Sequence, residues 1–193
     1  MILIFFRSGN RTRYPEFQYD RDNFIQTSKI LIKNLTLRQQ EKIMAHTRLA
    51  LRTFNHNNYL LPTIFVFLSY IKAINSNFYN SLSNKLLSLK EVQDDFYKEI
   101  EHLITDDNKR LLVQIEAYLL KFYENYKSEF RKPSALFERN SKENIYILKI
   151  ESKIDNDLLL TMLTNDRFNF NISDLKISFL LDKLNLLEDI IIN

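Results

Sequence analysis

Four cationic side chains share one face of a predicted helix: Arg38, Lys42, Arg48 and Arg52. At about 100° per residue they fall within a single arc of that helix. Guanidinium and ammonium groups bind phosphate through charge-assisted hydrogen bonds, and arginine presents its donors as a planar fork. The spacing therefore indicates either a surface that contacts the phosphate of a nucleotide or nucleic acid, or a solvated face opposite a buried one.

The helix that carries these four residues has a clear start. With Thr36 as N-cap, Gln39 occupies the third helical position, so the two residues form a capping box and the helix begins at Leu37. It runs to about Phe54. The opposite arc predicts a core-facing side, which comprises Leu37, Ile43, Met44, Thr47, Leu51 and Phe54.

An almost wholly apolar helix follows, with Pro62 in its first turn and its end near Ile74. The apolar stretch from Tyr59 to Ile71 has thirteen residues, whereas a membrane-spanning helix needs about 20. We therefore predict a buried core helix and no transmembrane segment.

The common catalytic motifs have no match in this sequence. A Walker A loop needs several glycines and a G-K-[ST] ending, and the chain has one glycine, Gly9. A Walker B strand is also missing, because Asp94-Asp95 and Asp106-Asp107 lie in helical patterns. No cysteine is present, His46, His56 and His102 lack the spacing of a helical zinc site, and no serine is marked by a base. We predict no catalytic residue, no metal ligand and no nucleotide hydrolysis by this chain alone.

The formal charge of +3 is unevenly distributed along the chain. Residues 1–52 carry a net charge of +6 and the remainder a net charge of −3. This excess suits a phosphate or an acidic partner, but it is less dense than the Lys/Arg clusters typical of nucleic-acid-binding proteins. The lack of cysteine and of a secretory signal before Arg7 favours a cytoplasmic location.

Helical periodicity dominates most of the remaining sequence, which predicts a mainly α fold. The expected elements are a helix over Phe24–Lys33, a short helical turn over Phe78–Leu82, a helix from Leu89 capped by Ser88 and Glu91, a long helix after Thr105, and a last helix from Asp174 to about Ile190. Alternation in Ile145–Ile150 predicts a strand, with Arg167–Ile172 as its partner in a small β-hairpin near 145–172. The apolar stripe between residues 111 and 130 predicts either core or a partner-binding face.

Three consecutive blocks carry a resemblance to a known family. They are NLTLRQQEKI at 34–43, TRLALRTF at 47–54 and LLPTIFVFLSYIK at 60–72, followed by an N-x-x-x-Y turn from Asn75 to Tyr79. In order and spacing they resemble the C-terminal helical region, or lid, of the KAP family of P-loop NTPases, with Gln39 in place of the usual acid. The resemblance implies a multi-helix bundle like the helical lid of a P-loop NTPase.

The resemblance also implies a role for two arginines. In related ATPases a lid arginine reaches the terminal phosphate, so Arg38 is the first candidate for a nucleotide-sensing residue and Arg52 the second. The family's ATPase core has no counterpart here. The expected function is therefore that of a catalytically incomplete C-terminal part of a KAP-type NTPase, with a regulatory or interaction role linked to signalling or bacteriophage exclusion. ATP and Mg would be cofactors only if another polypeptide supplies the P-loop core.

On this interpretation the chain has three segments. Residues 1–33 form an irregular segment and short helix that would be a remnant of the missing core, residues 34–104 form the lid-like region, and residues 105–193 form a helical extension. Two alternatives stay open: a free-standing helical protein-interaction module that uses the 111–130 stripe or the basic face, and a weak nucleic-acid binder that uses the basic face.

Overall fold

The computed structural model describes residues 20–53, 61–127, 134–164 and 177–185. These residues form α1 (Asp20–Ile32), α2 (Leu37–Arg52), α3 (Pro62–Ile74), α4 (Ser76–Ser83), α5 (Leu89–Ile100), a 3₁₀ turn (Glu101–Leu103), α6 (Lys109–Lys127), β1 (Phe137–Asn140), β2 (Ile145–Leu148), α7 (Asn156–Thr164) and α8 (Ile177–Asn185). The predicted mainly α fold with a small hairpin is confirmed.

Local sequence signals explain where several helices begin. The capping boxes of Thr36 with Gln39 and of Ser88 with Glu91 are both formed, at the starts of α2 and α5. Pro62 occupies the first turn of α3, where its missing N–H removes no helical hydrogen bond. The predicted turn at 78–82 is a full helix, α4, because the Asn75 side-chain oxygen accepts from the N–H of Phe78 at 3.0 Å and caps it.

The described residues form two compact units. One combines those up to Tyr79 with those from Phe179 onward, and the other runs from Asn80 to Ser178. In the first unit α1 and α2 both pack against α3. Every residue of α3 from Pro62 to Lys72 is buried, so burial on all sides accounts for its nearly continuous apolar sequence.

Buried polar contacts connect α8 to α3 and α4 within the first unit. Lys72 Nζ donates to the Leu184 carbonyl at 2.9 Å and to Asn185 Oδ1 at 3.2 Å. The Tyr79 hydroxyl donates to Asn185 Oδ1 at 2.8 Å. These donors satisfy the C-terminal end of α8, where free carbonyls favour a positive charge.

In the second unit α6 supplies more of the buried apolar side chains than any other described element. Its apolar stripe is buried, including Leu112, Ile115, Leu119 and Phe122, and α6 packs against α5 and α7. The stripe is therefore core over the described part of α6, and it is not the exposed partner-binding face that the interaction-module hypothesis considered. Phe130, at the predicted end of the stripe, lies outside the described residues.

The hairpin pairs β1 with β2 in antiparallel register, with Phe137 opposite Leu148 and Asn140 opposite Ile145. The sequence predicted β2, but it did not predict that β1 would be its pairing strand. Residues 167–172, which we expected as the partner, lie outside the described residues, as do both ends of the predicted last helix. Asn144 has φ 53° in the turn before β2, a left-handed conformation that asparagine tolerates.

Candidate functional site

The structure places all four residues of the basic face (Arg38, Lys42, Arg48 and Arg52) on the exposed side of α2. The opposite side is buried and consists of Ile43, Thr47, Ala50 and Leu51. Three members of the predicted core arc are not among these: Leu37 is 71% exposed, Met44 is half-buried, and Phe54 lies outside the described residues. Leu37 stands in the first turn, where the side chain points toward the helix N-terminus and away from the core.

The arc of the basic face also contains residues that are not basic. Glu41, Ala45 and Leu49 fall between the four cations on the helical projection. Glu41 is exposed, whereas Ala45 and Leu49 are half-buried. The surface is therefore a band of four positive charges with one negative charge and an apolar strip between them.

Both ends of α2 are held by hydrogen bonds. At the start, the Thr36 N–H donates to Gln39 Oε1 at 3.0 Å, and the Gln39 N–H donates to Thr36 Oγ1 at 3.4 Å. At the other end, Lys183 Nζ donates to the Thr53 carbonyl at 2.8 Å. Gln39 thus completes the capping box without adding a negative charge beside Arg38.

The two arginines singled out by the resemblance are not brought together at one point. Arg38 and Arg52 are fourteen positions apart, which corresponds to about 21 Å along the helix axis at about 1.5 Å per residue. Arg38 instead lies one turn from Lys42, and Arg48 lies one turn from Arg52. The face therefore offers two cationic pairs, one near each end of the helix.

A buried polar cluster in the second unit was missed by the sequence analysis. Glu116 on α6 is 0% exposed. Its Oε1 accepts from the Tyr97 hydroxyl at 2.7 Å and from Gln93 Nε2 at 2.8 Å, and its Oε2 accepts from Ser152 Oγ at 2.9 Å. Three donors from two further segments thus converge on one carboxyl group, as a buried carboxyl requires.

The hydroxyl oxygens of Tyr97 and Ser152 are themselves 3.0 Å apart, so Glu116, Tyr97 and Ser152 form a closed ring of three oxygen–oxygen contacts. The two hydroxyls supply two hydrogens, and a third contact can be a hydrogen bond only if the carboxyl is protonated. The ring is thus complete with neutral Glu116. The ionised form leaves one contact without a hydrogen.

Burial is the main cause that raises the pKa of Glu116 above its ordinary value. Hydrogen bonds from Tyr97, Gln93 and Ser152 and the charge of Lys90 act in the opposite direction but do not cancel it. Burial, together with the Glu116 carboxylate, also raises the pKa of Tyr97. Both groups are therefore held toward their protonated forms.

This cluster holds the segment between β2 and α7. Gln93 Nε2 donates to the Glu151 carbonyl at 2.9 Å, and the N–H groups of Ile154 and Asp155 donate to Ser152 Oγ at 3.1 and 3.2 Å. The Lys153 N–H donates to the Tyr97 hydroxyl. A carboxylic residue at position 116 inside the apolar stripe of α6 was the sequence signal that could have revealed it, because buried carboxyl groups are rare without partners.

The other sequence-selected residues are dispersed. Asp94 forms ion pairs with Lys90 at 3.4 Å and Lys153 at 3.6 Å, and Asp95 forms one with Lys98 at 2.6 Å. Among the described residues, no group of three or more His, Asp or Glu side chains is arranged to hold a metal ion. No helix within the described ranges is both long enough and apolar enough to cross a bilayer.

Comparison with known proteins adds no relative. No protein-family model matches the chain, and neither the curated proteins nor the solved structures give a match.

Proposed function

We propose that this chain is a non-catalytic helical binding protein that contacts phosphate through the basic face of α2, as the lid of a P-loop NTPase core carried by another polypeptide. One observation supports this most: four cationic side chains are exposed along one face of a single helix whose opposite face is buried. The sequence resemblance of residues 34–79 to the KAP lid region supplies the identity of the proposed partner.

The physical basis is the placement of the charges. The guanidinium group of arginine is more weakly hydrated than an ammonium group and presents its donors as a planar fork, so it exchanges water for phosphate at a modest desolvation cost. Each pair, Arg38 with Lys42 and Arg48 with Arg52, spans about 6 Å and can contact one phosphate group. When the chain acts as the lid of an NTPase core, Arg38 and Lys42 near the capped N-terminus of α2 contact the terminal phosphate of the nucleotide. They stabilise the negative charge that develops there.

This proposal predicts weak intrinsic affinity. The lid contributes one or two arginines to a site whose remaining ligands belong to the core, so the isolated chain should bind tripolyphosphate in the roughly millimolar range, which is about −4 kcal/mol. Micromolar binding of MgATP, or its hydrolysis, by the isolated chain would contradict the proposal.

The experiment is an NMR titration of the full chain with tripolyphosphate, with MgATP and with a short DNA duplex. The variants are R38Q/K42Q and R48Q/R52Q, and the matched control is R110Q/K142Q, which removes two exposed cations from the other unit. We expect the shifts caused by tripolyphosphate to vanish in R38Q/K42Q and to persist in the control. Equal loss in all three variants would refute a role for the basic face.

The titration with duplex DNA distinguishes the lid proposal from the nucleic-acid alternative. A protein that neutralises several backbone phosphates loses affinity steeply as salt rises. If the duplex binds more tightly than tripolyphosphate, and both pair variants weaken it equally, then the basic face is a nucleic-acid surface and the lid proposal is wrong.

A further inference from the structure

Strand β2 exposes three consecutive large apolar side chains. Ile145, Tyr146 and Ile147 are 47, 40 and 42% exposed. Helix α7 packs against β2. The rings of Phe137 and Tyr146 meet edge-on, with 5.7 Å between their centroids. These contacts leave the three side chains exposed. Because successive side chains of a strand point to opposite faces, Ile145 and Ile147 form an exposed apolar pair on one face and Tyr146 lies on the other. Exposed apolar side chains clustered on one short strand are typical of an interaction site.

The hydrogen-bond pattern of the hairpin shows which backbone groups of β2 point away from β1. The Lys149 N–H donates to the Leu136 carbonyl at 2.8 Å. Because antiparallel ladders alternate, Ile147 and Ile145 exchange hydrogen bonds with Glu138 and Asn140 across the hairpin. The N–H and C=O groups of Tyr146 and Leu148 therefore point away from β1, and within the described residues no hydrogen bond reaches them.

We propose that β2 pairs antiparallel with β2 of a second copy of this chain, about a twofold axis at Tyr146. In this register Tyr146 lies opposite Tyr146 of the second copy, so the outward N–H and C=O groups of both residues form one hydrogen-bonded pair. The N–H and C=O groups of Leu148 point toward the same edge of β2 as those of Tyr146. Two hairpins thus become one four-stranded sheet, and the unpaired edge disappears.

The strand is complementary to itself in this register. Ile145 lies opposite Ile147 of the second copy, and the twofold axis repeats the pair, so four isoleucines meet on one face. The flanking charges agree with the same arrangement, because Glu143 precedes β2 and Lys149, which also forms an ion pair with Glu138 at 3.2 Å, follows it. Antiparallel pairing brings the Glu143 end of one copy beside the Lys149 end of the other. This self-complementarity favours a second copy over an unrelated peptide.

The test uses charge at the two isoleucine positions. I145K/I147K and I145E/I147E each place like charges opposite one another in a homodimer, whereas I145E/I147K places opposite charges there. Sedimentation velocity of the full chain over a range of concentrations should show dimers for wild type and for I145E/I147K. For each like-charge variant it should show a dissociation constant at least about tenfold higher, which is about 1.4 kcal/mol.

Mixing the two like-charge variants gives the decisive measurement. I145K/I147K and I145E/I147E should form a heterodimer together although neither dimerises well alone. Far-UV circular dichroism checks that each variant is folded, and hydrogen exchange of the wild-type Tyr146 amide supplies a readout without mutation. That exchange should slow as protein concentration rises. A monomeric wild type, a failed heterodimer, or a Tyr146 amide whose protection does not depend on concentration would each overturn the proposal.

Discussion

The ionisable groups of the basic face of α2 are exposed to water, whereas the carboxyl group of the Glu116 cluster is buried. The four cations lie at the surface, where water solvates them and each contributes little to stability. Glu116 is buried, so the loss of water raises its pKa, and hydrogen bonds from Tyr97, Gln93 and Ser152 replace part of the lost solvation. The charges of the basic face are thus exposed at the surface, whereas the buried carboxyl holds the segment that joins β2 to α7.

The largest effect is expected from removing the buried carboxyl. Glu116→Ala leaves the donors of Tyr97, Gln93 and Ser152 without their acceptor, and it opens a cavity beside them. We expect the free energy of unfolding to fall by about 3 kcal/mol or more. Urea denaturation measures this change. A loss below about 1 kcal/mol would show that the cluster is solvated and that the contrast with α2 does not hold.

Lys72 in the first unit provides a buried cation for comparison with Glu116. Lys72→Met keeps the apolar stem but removes the hydrogen bonds to the Leu184 carbonyl and Asn185. Because hydrogen bonds from a charged donor are stronger than neutral ones, we expect a loss of about 2 kcal/mol in urea denaturation. Lys29→Met, at an exposed position of α1, is the control and should leave stability nearly unchanged.

The raised pKa of Glu116 predicts how stability depends on pH. The unfolded chain loses this proton near the ordinary glutamate value, whereas the folded chain retains it to higher pH. The contribution is therefore fully present below about pH 4.3 and is lost as pH rises through the folded-state pKa. In Glu116→Gln the side-chain amide supplies the third hydrogen of the ring at every pH. The free energy of unfolding of this variant should therefore lack the pH-dependent contribution of Glu116. Parallel urea-denaturation profiles of wild type and variant between roughly pH 4 and 8 would contradict the assignment.

The smallest effect on stability is expected at the basic face. Replacing Arg38, Lys42, Arg48 and Arg52 together by glutamine should change the free energy of unfolding by less than about 0.5 kcal/mol, because these side chains are exposed. The same variant should lose binding to tripolyphosphate. A large destabilisation would instead show that the face is structural, and it would remove the distinction between the two regions.

Sequence signals of short range predicted the helical part of the fold well. The capping boxes of α2 and α5 and the proline at the start of α3 depend on residues within a few positions of each other, and each occurs as predicted. The hairpin was less predictable, because β1 has the sequence FERN, with one apolar residue and no hydrophobic alternation. A polar stretch of this kind does not distinguish a strand from a loop.

The basic face could likewise be predicted, since one helix carries all four residues and helical geometry alone places them together. The Glu116 cluster could not. Its members come from α5, α6 and the segment before α7, separated by up to 59 positions in the chain between Gln93 and Ser152. Nothing local to any one of them indicates the other two segments.

The sequence by itself therefore determined most of the helices, the starts of α2, α3 and α5, and the composition of the α2 surface, because these depend on neighbours along the chain. It did not predict α7. Only the tertiary structure decided that Glu116 is buried within a closed ring of hydrogen bonds, and that the backbone N–H and C=O groups of Tyr146 point away from β1. Burial and strand pairing are set by residues distant in sequence, and the free energy of a charge or a backbone N–H depends on whether such residues replace the water around it.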